Sequence, residues 1–246
     1  MGSGFSLFSP PSPPGTNLGD LPESCVALIL ENMEPRQICK LAILNKAFRG
    51  ASSADFVANC FDGDHKKAWL DKSSGKMCLA ISSNGLSITG IDDRRYWNRI
   101  STDESRFGSI AYLQQTWWFE VSGEVEFPLP AGTYSLFFRL QLGKSTKKFG
   151  RRVCNSQNVH GWDIKPVQFQ ISTSENQNLR ATSCYLREPG NWNYYHGGDF
   201  VVENPNKPAK IKFSMMQIDC THTKGGLSVD SLLVYPVEFK ERLKRF

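Results

Sequence analysis

Asp92, Asp93, Tyr96 and Trp97 fall within six residues, a mixture suited to binding carbohydrate. A sugar ring has an apolar C–H face that stacks on an aromatic ring. It also has a rim of hydroxyls that carboxylates and amides take as hydrogen bonds. Trp192, Tyr194, Tyr195 and His196 form a second aromatic-rich cluster, just after Pro189-Gly190. The candidate ligand contacts are Asp92, Asp93, Tyr96, Trp97, Trp192, Tyr195 and His196. The competing role for such rings is to cap the end of a core, because large aromatics are usually mostly buried. Trp117, Trp118 and Trp162 stand in strand-like surroundings and are assigned to the core or its edge.

Catalytic chemistry has less to work with. His65, His160, His196 and His222 lie far apart, and none forms an H-x-x-x-H or G-x-S-x-G arrangement. Cys154, His160 and Asp163 are close in sequence, but a thiol nucleophile also needs a base set beside it by the fold. Cys220-Thr221-His222 supplies only two possible metal ligands, so neither a metal nor a cofactor is expected. The seven cysteines are scattered without a C-x-x-C pair, the pattern of reduced, mostly buried thiols in cytoplasm or nucleus. A net charge of +5 is too mild for a nucleic-acid partner to be expected. Lys144, Lys147, Lys148, Arg151 and Arg152 concentrate positive charge. That run reads as a solvated loop between two strands, with a nuclear-import patch or anion site as the alternative.

The elements that must hold these residues differ along the chain. Residues 1–19 are rich in Gly, Ser and Pro and form a disordered arm. Pro22 suits a first helical turn, and Val26, Ile29, Leu30 and Met33 follow at i, i+3, i+4 and i+7. Pro35 restarts the stripe, which Ile38, Leu41 and Ala42 continue. Helices this short bury too little apolar surface to stand alone and need a partner surface. From about residue 66 the period becomes two, as in Tyr134, Leu136, Phe138 and Leu140, or Val167, Phe169 and Ile171. Pro130-Ala131-Gly132, Asn204-Pro205 and Gly225-Gly226 punctuate these runs. Many short strands with regular turns and no helical pattern between them predict an antiparallel sandwich or barrel.

Leu21-Pro22, the stripe to Met33, Pro35, Ile38, Leu41, Ala42, Asn45 and Phe48 resemble an F-box. Cys78 to Ser83, Leu86 to Trp97, Trp117 to Gly123, Leu129 to Tyr134, His160 to Ile164, Gly198-Asp199-Phe200 and Ile211 to Pro236 resemble phloem protein 2 and Nictaba-type lectin domains. The resemblance implies an α+β, mainly β chain: a short N-terminal helical F-box, then an antiparallel jelly-roll-like β-sandwich. It implies that Leu21, Pro22, Cys25, Val26, Ile29, Leu30, Met33, Pro35, Ile38 and Leu41 dock on a Skp-family adaptor and, through it, a cullin. It also implies a sandwich that recognises glycans bearing N-acetylglucosamine. Two departures stand out. Ala58 follows Asp55-Phe56-Val57 where the F-box family has a Trp, and a linker of some forty residues is missing before Phe61-Asp62-Gly63. Gly90 stands where lectin members carry a sugar-stacking Trp, while their second Trp matches Trp97.

The expected organisation is an arm (1–19), a C-terminally truncated F-box (20–57), a shortened linker (58–67), a sandwich (68–237) and a charged tail (238–246). The expected function is the non-catalytic, substrate-binding subunit of a Skp–cullin–F-box ubiquitin ligase, with a glycan or glycoprotein client. A lectin working without the ligase and a thiol hydrolase are the alternatives. Met1-Gly2-Ser3-Gly4-Phe5-Ser6 fits the myristoylation pattern at Gly2, the one route by which a membrane would become a partner.

Overall fold

The computed structural model describes residues 59–61, 65–70, 76–148, 151–174 and 179–240, with Cys25, Val26, Ile29 and Met33 placed singly. Its strands in chain order are β1 (Asn59–Phe61), β2 (Lys66–Leu70), β3 (Met77–Ser82), β4 (Ser87–Ile88), β5 (Trp97–Ser101), β6 (Ser109–Thr116), β7 (Phe119–Phe127) and β8 (Gly132–Leu142). They continue as β9 (Lys144–Lys148), β10 (Arg151–Asn155), β11 (Val167–Thr173), β12 (Arg180–Cys184), β13 (Trp192–Val202), β14 (Ala209–Gln217) and β15 (Lys224–Pro236). The described residues are mainly β: two antiparallel sheets lie face to face, and β9 with β10 forms a third, two-stranded one.

The larger sheet is organised on β15. One edge of β15 pairs with β8, which carries β13. Its other edge pairs with β6 along the first half and with β3 along the second. β6 then carries β5, and β3 carries β2 and β1. The smaller sheet runs β12, β11, β14, β7, β4.

Alternation decides which side chains meet between the sheets. Val167, Phe169 and Ile171 of β11, Ile211, Phe213 and Met215 of β14, and Phe119, Val121 and Val125 of β7 all point inward and are buried. Leu136, Phe138, Leu140 and Leu142 of β8 meet them from the larger sheet. The rings interlock: Phe119 meets Trp162 edge-on at 5.0 Å, and Phe138 lies 5.5 Å from Phe169 and 6.3 Å from Phe213. β15 breaks the alternation because both of its faces are covered, and it is buried along its whole length. Its outer face joins a second apolar cluster of Cys78, Ala80, Phe137, Leu233 and Tyr235, against which Trp69, Phe107 and Phe239 pack. A bulge between Val229 and Ser231 inserts Asp230, whose buried carboxylate takes Arg139 at 2.8 Å.

Two expectations need correction, and a third gains detail. The segment read as a linker, 58–67, supplies β1 and the start of β2, so the larger sheet begins before residue 68. The basic run is not a loop between strands but a strand pair of its own, with Lys147 opposite Arg152 and Lys148 opposite Arg151. The charged tail carries an anchor of its own: Phe239 stacks on Tyr235 at 3.8 Å, and Lys240 reaches the Asp199 carboxylate at 2.5 Å. The helical segment predicted over residues 20–57 lies outside the described residues apart from four positions.

Candidate functional site

β6 belongs to the larger sheet and β7 to the smaller, and only Trp117 and Trp118 separate them. A strand that changes sheets over two residues must turn sharply at the end of the sandwich. Both indoles are thrown outward, 53% and 45% exposed. This corrects their assignment to the core or its edge. The Trp118 indole N–H donates to Glu120 at 3.1 Å, and the Thr116 hydroxyl donates to the Trp118 carbonyl at 2.9 Å.

Lys224 holds the corner in place. Its side chain is fully buried, and its ammonium donates to the carbonyls of Trp117 at 2.7 Å, Gln217 at 3.0 Å and Asp219 at 3.0 Å. Burial pushes the ammonium below its ordinary value, with Cys220 and Asp219 pulling the other way. Gly225 lets the strands close beside it: a Cβ there would fall 2.2 Å from the Gln114 carbonyl.

The 89–96 loop is stitched to the same corner. The Thr89 N–H donates to the Glu120 carbonyl at 3.1 Å, and the Gln114 N–H to the Tyr96 carbonyl at 2.7 Å. The Gln114 side-chain amide donates to the Arg94 carbonyl at 2.7 Å. Tyr96 is exposed, with the Arg95 guanidinium 5.5 Å from its ring, and Asp92 is exposed beside it. The side chain and the backbone N–H of Arg95 both hydrogen-bond Asp93, holding its carboxyl below the usual value. Trp97 is corrected as a ligand contact. It is 2% exposed, stacks on Phe119, and donates its indole N–H to the Thr89 carbonyl at 3.1 Å. It anchors the loop from below, leaving Tyr96, Trp117 and Trp118 as the rings a ligand can reach. Gly90 sits in the left-handed region at φ 77°, and a Cβ there would lie 3.7 Å from Tyr96 Cδ2.

The second predicted cluster does not join the first. Trp192, Tyr195 and His196 lie on β13 itself, not on a loop. From Trp97 the sheet runs through Leu113, Leu227 and Leu142 before reaching β13. Four strand spacings of ~4.8 Å put the clusters on the order of 19 Å apart. Trp192 is engaged by Glu104 at its N–H and by Arg139 over its ring. Tyr195 turns inward onto Phe169, and burial together with Cys184 pushes its hydroxyl up to about 12. His196 pairs with Asp199 at 2.8 Å. All three side chains are half-buried, and each already holds a partner within the sandwich.

The thiol arrangement fares no better. The Cys154 Sγ–H faces the Leu142 carbonyl at 3.5 Å, and burial, then Glu104, push the thiol up, away from the reactive thiolate. His160 Nδ1 donates to the Asn158 carbonyl at 2.8 Å. Of the adaptor-contact residues, Cys25 and Ile29 are exposed, Val26 is buried, and Met33 is half-buried against the core. Leu21, Pro22, Leu30, Pro35, Ile38 and Leu41, and Gly2, lie outside the described residues.

Residues 76–236 match the phloem protein 2 family. The F-box protein PP2-A12 of Arabidopsis thaliana is 56% identical over 93% of this chain and 91% of its own length. The F-box protein PP2-A11 of the same plant is 52% identical over 99% of both chains. That second alignment has 289 positions against 246 residues here, so at least 43 positions have no counterpart in this chain. Among solved structures, a family 35 carbohydrate binding module from Clostridium thermocellum covers 65% of this chain and 98% of its own. It does so at 12% identity and a TM-score of 0.38, too slight a likeness to argue from. On the family match and the relatives together, the chain belongs to the phloem protein 2 family, among the plant F-box proteins that carry this domain.

Proposed function

We propose that the protein is the substrate-recognition subunit of a Skp–cullin–F-box ubiquitin ligase, with its sandwich holding a glycan or glycoprotein client. The observation that carries the glycan half is the corner. Trp117, Trp118 and Tyr96 offer exposed ring faces, Glu120 and Asp92 offer acceptors for hydroxyls, and Lys224 and Gln114 fix the backbone beneath them. The relatives' F-box names and the Leu21-Pro22 pattern support the ligase half. On this reading residues 20–57 form the helical box that docks on the adaptor, and the sandwich follows a jelly-roll-like course. Nothing in the chain needs to perform a bond-making step. Tethering a client beside a charged conjugating enzyme raises its effective concentration, and that supplies the rate. Cytoplasm and nucleus are the proposed compartments.

Glycan-array binding of the wild type and of a Trp117→Ala/Trp118→Ala variant tests the site. Selective binding to N-acetylglucosamine oligomers that the variant loses is the expected result. Equal binding by both proteins would remove the corner from the account.

A second reading, a lectin that works without the ligase, is favoured by one observation. The chain lacks at least 43 positions present in a relative that it otherwise matches end to end. If those positions complete the box, adaptor binding is lost while glycan binding remains. A pull-down with a Skp-family adaptor, run beside a Leu21→Ala/Pro22→Ala control, separates the two readings.

A further inference from the structure

Beyond Pro236, where β15 ends, residues 237–240 form a strap over the outer face of the larger sheet. The Val237 N–H still donates to the Thr133 carbonyl at 3.1 Å. After that the strap joins no sheet, and consecutive side chains meet different surfaces. Glu238 reaches the Lys76 ammonium at 2.8 Å. Phe239 lies parallel on Tyr235 with ring centroids 3.8 Å apart, edge-on to Phe137 at 6.3 Å and to Tyr194 at 6.5 Å. Lys240 reaches Asp199 at 2.5 Å.

Each contact matches in kind: a cation for the acid, a ring cluster for the ring, a carboxylate for the base. Their order fixes a direction along the face. Both ion pairs are partly exposed and hold weakly, which leaves the ring as the main anchor. Tyr235 and Phe137 are 6% and 3% exposed with the strap in place, so lifting Phe239 uncovers ring surface that calls for another cover. Lifting Lys240 leaves Asp199 served, because the Ser135 hydroxyl donates to it at 2.6 Å and His196 lies at 2.8 Å. The carboxylate is therefore not orphaned, and the face survives the departure of its strap.

A face that reads side chains does not need the segment to be joined to β15. We infer that it is a second partner-binding site, which takes an acidic–aromatic–basic triplet of a partner polypeptide and is covered by the chain's own Glu238-Phe239-Lys240 until that partner displaces it. No residue of the Trp117-Trp118 corner takes part, so the inference does not rest on the glycan reading.

Fluorescence anisotropy of the full chain with a fluorescein-labelled peptide of residues 236–242 tests it. Phe239→Ala/Lys240→Ala vacates the face. This variant is expected to bind the peptide about tenfold or more tightly than the wild type, whose own strap competes at high effective concentration. Lys240→Glu, which keeps the ring and reverses only the charge, should shift binding the same way and serves if the double variant does not fold. Replacing the peptide by its Phe239→Ala form should weaken binding about tenfold or more, since the ring is the anchor. No binding by either variant, equal binding by variants and wild type, or undiminished binding of the Phe239→Ala peptide would overturn the inference. Concentration-dependent dimers of the wild type that the double variant does not form would give the face to a second copy and overturn it too.

Discussion

At the residue scale, the fold separates aromatic rings that the sequence presents as equivalent. Trp118 and Trp97 both sit beside carboxylates in the chain, yet one is 45% exposed and the other 2%. Trp117→Ala/Trp118→Ala should weaken glycan binding about tenfold or more. Being exposed, each change should move unfolding free energy by no more than about 0.5 kcal/mol in a urea titration. Trp97→Ala should instead destabilise by about 3–5 kcal/mol, because it opens a cavity beside Phe119. Lys224→Met leaves three carbonyls without their donor, and a loss of about 2–3 kcal/mol is expected. Weakened glycan binding should accompany it, read at a temperature where the variant is still folded. The cluster around Tyr96 was visible in the sequence because Asp, Tyr and Trp crowd together there. The Trp117-Trp118 corner was not. An alternating pattern continues on both sides of it, and nothing local says that β6 and β7 enter different sheets. A buried lysine serving three carbonyls leaves no sequence signal at all, since its partners lie up to 107 residues away.

At the element scale, the alternation in β11 and β14 was readable because one face of each is solvated. β15 was harder: it is covered on both faces, so its pattern is continuous. The C-terminal strap was also hidden, because charged residues surround the single anchoring ring of Phe239. Asp199 ties that strap down through Lys240, Ser135 and His196. Burial alone would raise the Asp199 carboxyl, but those hydrogen bonds outweigh it and hold it below 3.8. A lowered carboxylate contributes fully above its ordinary value and loses that contribution as pH falls through its lowered folded value. The strap should therefore hold at neutral pH and loosen below about pH 4. Hydrogen exchange of residues 237–240 should show that loosening, and Asp199→Asn should remove the pH dependence. In the 186–189 segment, Glu188→Gly relieves the positive φ and should stabilise by about 0.5–1 kcal/mol in thermal melts, net of the entropy that glycine adds to the unfolded chain.

At the scale of the whole molecule, the two-sheet sandwich and the family were both legible, because strand periodicity and the phloem-lectin motifs span most of the chain. The joint between box and sandwich was less so: residues read as linker entered the sheet as β1 and β2, pairing at a distance that local sequence does not encode. The central claim is that one chain binds an adaptor at one end and a glycan at the other. The most direct test immobilises N-acetylglucosamine oligomers on a resin and asks whether a purified Skp-family adaptor is retained only when this protein is added. Retention with the wild type, lost with Leu21→Ala/Pro22→Ala and lost again with Trp117→Ala/Trp118→Ala, is the expected result. A protein that binds the resin but leaves the adaptor in the flow-through would contradict the claim.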